Sequence, residues 1–195
     1  APAAKPGPEP EPEPEPKAAP DSPRWLAAGL RVGTTWNFGA VASFAVGADV
    51  TVPLPAIDDR LRVGLDLSFS WDRADASSFA GGAGARRVES STWVVPLELV
   101  VDFRLPLTER AGLTFRAGGG GALVDVTLDL GGAGAPGVVQ RERSYHPAAG
   151  GGAGVDWRLG PGALAVTVGA LWIGGDAISL SGGTLSTLRA AVGYR

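Results

Sequence analysis

The sequence predicts an all-β protein: an eight-stranded antiparallel up-and-down transmembrane β-barrel preceded by a disordered Pro-rich arm. Three observations predict it. Apolar side chains alternate with small or polar ones in eight separate stretches. Successive side chains on a strand point to opposite faces, so each stretch reads as a strand with one apolar side. The connections alternate between compact turns and longer glycine- and serine-rich segments, the layout of an outer-membrane barrel with its long loops outside the cell. Residues 1–23 hold nine of the sixteen prolines, centred on the Pro-Glu repeat of residues 8–16. Such a stretch builds no core and reads as an extended arm, so residues 24–195 carry the barrel.

The strands follow in order. Over 25–36, Leu26, Ala28, Leu30, Val32, Thr34 and Trp36 oppose Ala27, Gly29, Arg31, Gly33 and Thr35. Over 43–52, Phe44, Val46, Ala48, Val50 and Val52 oppose Ser43, Ala45, Gly47, Asp49 and Thr51. The third, 61–72, is the cleanest, with Leu61, Val63, Leu65, Leu67, Phe69 and Trp71 against Arg62, Gly64, Asp66, Ser68, Ser70 and Asp72. The fourth, 91–105, sets Trp93, Val95, Leu97, Leu99, Val101, Phe103 and Leu105 against Thr92, Pro96, Glu98, Asp102 and Arg104. The fifth, 113–130, begins with Leu113 and Phe115 against Thr114 and Arg116. It then carries its apolar residues at Val124, Val126, Leu128 and Leu130. That change of parity predicts a bulge within Gly118-Gly119-Gly120-Gly121. The sixth, 148–159, opposes Val155, Trp157 and Leu159 to Gly154, Asp156 and Arg158; the seventh, 163–172, opposes Leu164, Val166, Val168 and Trp172 to Thr167 and Gly169. The eighth, 185–195, opposes Leu188, Ala190, Val192 and Tyr194 to Arg189, Ala191, Gly193 and Arg195.

Proline and glycine punctuate the compact turns at 53–59, 106–110 and 160–162. Long loops are expected at 73–90, 131–147 and 173–184.

Composition excludes several function classes. The arm carries five carboxylates and two lysines, and the rest of the chain fifteen acidic residues and fifteen arginines. A neutral domain with an acidic arm gives no basis for nucleic-acid binding. With no cysteine and one histidine, there is no disulfide framework and no metal-ligand spacing; no cofactor is expected. Methionine is absent, so Ala1 is not a translation start. The opening residues fit either the remnant of a cleaved secretory signal or a cut from an upstream domain. No apolar run approaches the ~20 residues of a membrane helix.

Two features decide which face meets lipid. The polar face is glycine, alanine, serine and threonine with scattered arginines and carboxylates, and no lysine. Small residues broken by ion pairs suit the narrow lumen of eight strands better than a solvated exterior. The apolar face ends in aromatics: Trp36, Phe44, Trp71, Trp93 and Trp172 toward the long loops, and Phe103, Phe115, Trp157 and Tyr194 toward the short turns. These are expected to be two interfacial girdles. The lumen then holds an expected network of Arg31, Arg62, Arg104, Arg116, Arg158 and Arg189 with Asp49, Asp66, Glu98, Asp102 and Asp156. It is read as a neutral plug, the alternative being a gated ion path.

Over residues 24–195 the chain resembles the small eight-stranded outer-membrane barrels of Gram-negative bacteria, the OmpA-like and OmpX-like group. The final stretch Leu188-Arg189-Ala190-Ala191-Val192-Gly193-Tyr194-Arg195 is similar to the group's last strand, although it ends on arginine and not on an aromatic residue. The resemblance implies a bacterial outer-membrane location, contact with outer-membrane lipid and lipopolysaccharide, and delivery by the outer-membrane assembly machinery. It implies both termini in the periplasm, where the Pro-Glu arm, similar to the spacer of TonB-type proteins, would reach the cell wall or a periplasmic protein. The role expected is structural, adhesive or envelope-organising, without catalysis. Two alternatives stay open. Glu142, Ser144 and His146 share one face if extended, the residue types of a hydrolase triad and of a barrel-embedded lipid-modifying enzyme. A soluble barrel binding an apolar ligand is the other. Arg86-Arg87 and Arg141-x-Arg143 are either grips for lipopolysaccharide phosphates or ordinary loop charges.

Overall fold

The computed structural model describes residues 26–37, 42–55, 60–79, 85–132, 135–174 and 185–195; at 37, 42, 74–79, 85–88, 132, 135–136 and 185 only the backbone is described. The Pro-Glu arm lies outside the described residues. Eight strands follow one another: β1 (Ala27–Asn37), β2 (Ala42–Pro53), β3 (Leu61–Phe79), β4 (Ala85–Pro106), β5 (Ala111–Gly132), β6 (Ala135–Leu159), β7 (Gly162–Ile173) and β8 (Leu185–Tyr194). Each pairs antiparallel with its sequence neighbours, and β8 pairs back onto β1 to close the barrel. Closure leaves no free edge around the wall, which the backbone requires wherever water is absent.

The register fixes the geometry. A single rung runs Val52, Val63, Val101, Ala117, Gly151, Ala170, Leu188, Trp36 and back to Ala42, ten residues from where it left β2. A stagger of ten over eight strands tilts them by roughly 40°. Each crossing from β2 toward β8 therefore climbs roughly 3 Å toward the long-loop end.

The faces sort as the alternation demands. Leu65, Leu97 and Val166 stand 56%, 51% and 43% exposed on the outer surface, while Asp102 inside retains 2%. Trp36, Phe44, Trp71 and Trp172 ring the outer surface at one end, with Phe103, Phe115, Trp157 and Tyr194 exposed at the other. An exterior of leucine, valine and aromatics around a charged interior is a wall built to face hydrocarbon.

At the short-turn end, Thr108 Oγ1 accepts from the amides of Arg110 and Ala111 at 3.3 and 2.9 Å and tightens the β4–β5 turn. Gly160, at φ 59°, takes the left-handed conformation that turns β6 into β7.

Two expectations fail. The stretches 73–90 and 131–147 are mostly strand: β3 runs to Phe79, β4 starts at Ala85, and β5 and β6 span up to Gly132 and from Ala135. Period-two alternation is absent there in the sequence, so no apolar face marks these strands. Val138 and Val139 still suit a ladder. The expected loop at 173–184 lies mostly outside the described residues. The bulge at Gly118–Gly121 is also absent. Leu99, Glu98, Leu97 and Pro96 face Gly119, Gly120, Gly121 and Ala122 without a slip, and the irregularity of that strand falls between Leu130 and Gly132. Even-numbered residues of β5 face inward from Arg116 to Val126; what changes along the strand is the environment on each side of the wall.

Candidate functional site

The interior has two storeys. The lower one is ionic, with Arg116 on β5 at its hub. Its guanidinium reaches Asp49 at 3.2 Å, Asp66 at 2.6 Å and Asp102 at 2.6 Å, on β2, β3 and β4. Arg31 of β1 pairs with Asp49 at 3.5 Å and with Asp66. Arg195, just past β8, pairs with Asp49 at 3.4 Å and Asp102 at 2.9 Å. Three carboxylates thus meet three guanidinium groups, and the hub is neutral. Beside it Arg189 reaches Glu98 at 3.5 Å, and nearer the short turns Arg104 meets Asp156 at 2.6 Å. Arg62 stands opposite Asp102 in register and is also engaged. Buried ions persist only when paired and hydrogen-bonded this densely, and the arginine fork allows one cation to serve three acceptors.

Glycine makes the room. A Cβ on Gly47 would lie 2.8 Å from Arg31 Nε, and one on Gly150 2.9 Å from Glu98 Oε1. A cavity of about 130 Å³ remains between the arginines and the glycine-rich wall. Glu98 Oε1 borders it without a hydrogen-bond partner among the described residues.

The upper storey is apolar. Val94, Ala122, Val124, Val126, Ala148, Leu171 and Ile173 pack together inside the barrel, nearly inaccessible. The alternation in β5 predicts Val124 and Val126 on the apolar outer face, but they point inward and build this plug. Arg195 and Thr114, both on the polar face by parity, join the network beyond the residues expected in it, Thr114 donating to Asp156 at 3.1 Å. Arg158, expected in the network, is instead exposed at the short-turn rim, past the end of the lumen.

Of the residues expected to form a triad, Ser144 and His146 share a 2.7 Å hydrogen bond. Glu142 lies four residues from His146 along one strand, roughly 13 Å of backbone, so it cannot orient that ring. The three face inward, paired in register with Ala122, Val124 and Val126 of the plug.

A second cluster lies on the outside. Phe44, Trp71, Trp93, Asp125 and Arg143 form one rung, so the tilt lifts Asp125 and Arg143 above the aromatic ring and clear of the spanning part. The Asp125 carboxylate accepts from Arg141 Nε and Nη2 at 3.0 and 2.8 Å and from Arg143 Nε at 2.8 Å. Arg143 also stacks 5.3 Å from the Trp93 ring centroid. Hydrogen bonds from Arg141, reinforced by Arg143, hold the Asp125 carboxyl below the usual carboxylate range. The side chains of Arg86 and Arg87 lie outside the described residues.

No family model and no curated protein matches the chain. Solved structures do. A major outer membrane protein from Thermus thermophilus aligns at 14% identity over 86% of this chain and 99% of its own, with a TM-score of 0.51. The fold is that of a small outer-membrane barrel. The neisserial surface protein NspA aligns at 13% identity over 86% of this chain and 94% of its own, TM-score 0.47. Ail of Yersinia pestis, in complex with the heparin analogue sucrose octasulfate, aligns at 12% over 87% and 95%, TM-score 0.40. At such identities the likeness is one of fold.

Proposed function

We propose that this chain is an outer-membrane barrel with a closed lumen and a non-catalytic role, adhesive or envelope-organising, exercised through its outward sheet. The observation that carries the reading is the extension of β3–β6 past the upper aromatic ring. β7 ends at Ile173, opposite Ala148, whereas β6 continues outward to Ala135. A sheet raised above the membrane with exposed Val138 and Val139 near its tip is a display surface for a macromolecular partner outside the cell. The ionic and apolar storeys together support a plug, since eight strands leave only room enough for side chains to fill. The short-turn end then faces the periplasm. The Pro-Glu arm, leading into β1 at that end, extends toward the cell wall or a periplasmic protein.

The test uses single cysteines, which are unambiguous in a chain that has none. On intact cells, a membrane-impermeant thiol reagent should label Val139→Cys and spare Glu109→Cys. The reverse pattern would overturn the orientation. Paired Val138→Asp and Val139→Asp substitutions should reduce attachment of cells to their target surface, and the purified barrel should show no nanosiemens conductance in planar bilayers. The Ser144 and His146 contact favours a hydrolase as the second reading. Lipid-ester hydrolysis abolished by His146→Ala would support it; absence of activity in the unaltered protein would remove it.

A further inference from the structure

We infer that Arg189 on β8 and Arg195 just past it form a closing latch. From the last strand they reach across the lumen to carboxylates of β2 and β4, and so draw β8 onto β1 as the barrel forms in a bilayer. The latch concerns assembly and takes from the function proposed above only its membrane setting.

Within the ionic storey the charges are sorted by strand. Asp49 on β2, Asp66 on β3, and Glu98 and Asp102 on β4 are all buried along one side of the lumen. Asp49 stands directly opposite Asp66, and Asp66 directly opposite Glu98. Like charges so placed destabilise a sheet. The cations on the same strands are Arg62, opposite Asp102 in register, and Arg104, which is committed to Asp156 of β6 at 2.6 Å. Four carboxylates against two arginines leave this wall acidic. The cations that relieve the row come from other strands: Arg31 from β1, Arg116 from β5, and Arg189 and Arg195 from the end of the barrel. Against these four, the same part of the lumen sets only Asp156, so the remaining wall is basic.

Topology makes the contribution of β8 special. The other seven pairings join strands that follow one another in the chain, whereas the seam joins β1 to β8, with Leu30 facing Tyr194. Segments so far apart carry the largest loop-closure cost of the eight pairings. Until they meet, each leaves a row of unpaired backbone groups in lipid. Ladder hydrogen bonds act only at about 3 Å, but charge attraction falls off slowly and is little screened away from water. Arg195 is positioned before the seam shuts, because its backbone exchanges hydrogen bonds with Ala163 of β7 at 2.9 and 2.8 Å. Its side chain crosses β1 at Gly29, where a Cβ would stand 2.8 Å from Arg195 Cγ and 2.9 Å from Asp49 Oδ1. It ends between two strands, 3.4 Å from Asp49 and 2.9 Å from Asp102. Arg189 meets Glu98, 91 residues away in the chain, at 3.5 Å.

The test follows strand pairing while the full chain folds from urea into phosphatidylcholine vesicles. Pulses of a lipid-soluble oxidant trap engineered cysteine pairs as disulfides, in a chain that has no cysteine of its own. Val32→Cys with Val192→Cys reports the seam, and Leu65→Cys with Leu99→Cys reports β3 against β4. Arg189→Gln with Arg195→Gln should slow the seam cross-link at least about tenfold, which is about 1.4 kcal/mol in the barrier, and leave the β3–β4 cross-link at its parental rate. The exchange Glu98→Arg with Arg189→Glu keeps a pair across the lumen and should close the seam within about threefold of the parent, faster than Arg189→Gln alone. If the doubly neutralised chain closes as fast as the parent, if both cross-links slow together, or if the exchange closes no faster than Arg189→Gln, the latch is refuted. Failure of the parent to insert at all would instead refute the membrane placement in which the latch is set.

Discussion

The lower and upper storeys of the lumen fill the same tube by opposite means. Below, Arg116 and its partners fill it with charge: Asp49, Asp66 and Asp102 are nearly inaccessible and each meets at least two arginines. Above, Ile173, Val124 and Val94 fill it with aliphatic groups that need no partner. An ionic fill is intolerant of deletion, since each removed member strands an opposite charge, whereas an apolar fill loses only contacts.

Replacing the hub breaks the comparison most sharply. Arg116→Leu leaves three carboxylates around a missing cation and should cost about 3–5 kcal/mol in urea unfolding monitored by heat-modifiable migration. Adding Asp102→Leu should recover part of that loss, as coupled members of one network do. The apolar storey responds less: Ile173→Ala should cost about 3 kcal/mol and leave conductance at baseline, because the ionic layer beneath stays closed. A rise in ion leak with Ile173→Ala would move the seal to the upper storey. Gly47→Val probes the space around Arg31, where a Cβ would lie 2.8 Å from Nε. It should cost about 1–3 kcal/mol, visible as a lower unfolding midpoint.

The smallest effect lies outside the tube. The folded Asp125 carboxyl sits below its unfolded value of about 3.9. The link to Arg141 and Arg143 is therefore fully present above that value and is lost as pH falls through the lower, folded one. Raising the pH should change nothing at this site. A ring-nitrogen resonance of Trp93 that moves only in strong acid would fit; movement near neutral pH would contradict it.

Much of this was legible in the sequence. Strand positions and both faces of β3 follow from the alternation of Leu61 to Trp71 with Arg62 to Asp72, because only one side of a wall meets a given solvent. The inward charges are legible for the same reason. The upper plug was not. At Val124 the inner side of the wall turns from charged to apolar while the outer side turns polar, and in a one-dimensional pattern that exchange mimics a one-residue slip. The extension of β3–β6 was equally hidden, since the residues of 73–90 and 131–147 do not alternate apolar with polar and so lack the period that marks a strand. The strand position of Arg141 and Arg143, in a stretch expected to be a loop, shows only in the register, which sets them beside Trp93 and Asp125.

The most direct measurement asks what surrounds each face. Single cysteines at Leu65, Leu97 and Val166 on the outside, and at Thr51 in the lumen, would be labelled with a fluorophore and exposed to quenchers in bilayers. Brominated lipid should quench the first three strongly and Thr51→Cys hardly at all. Strong lipid quenching at Thr51, with Leu65 and Leu97 reached only by an aqueous quencher, would show that the wall faces the other way.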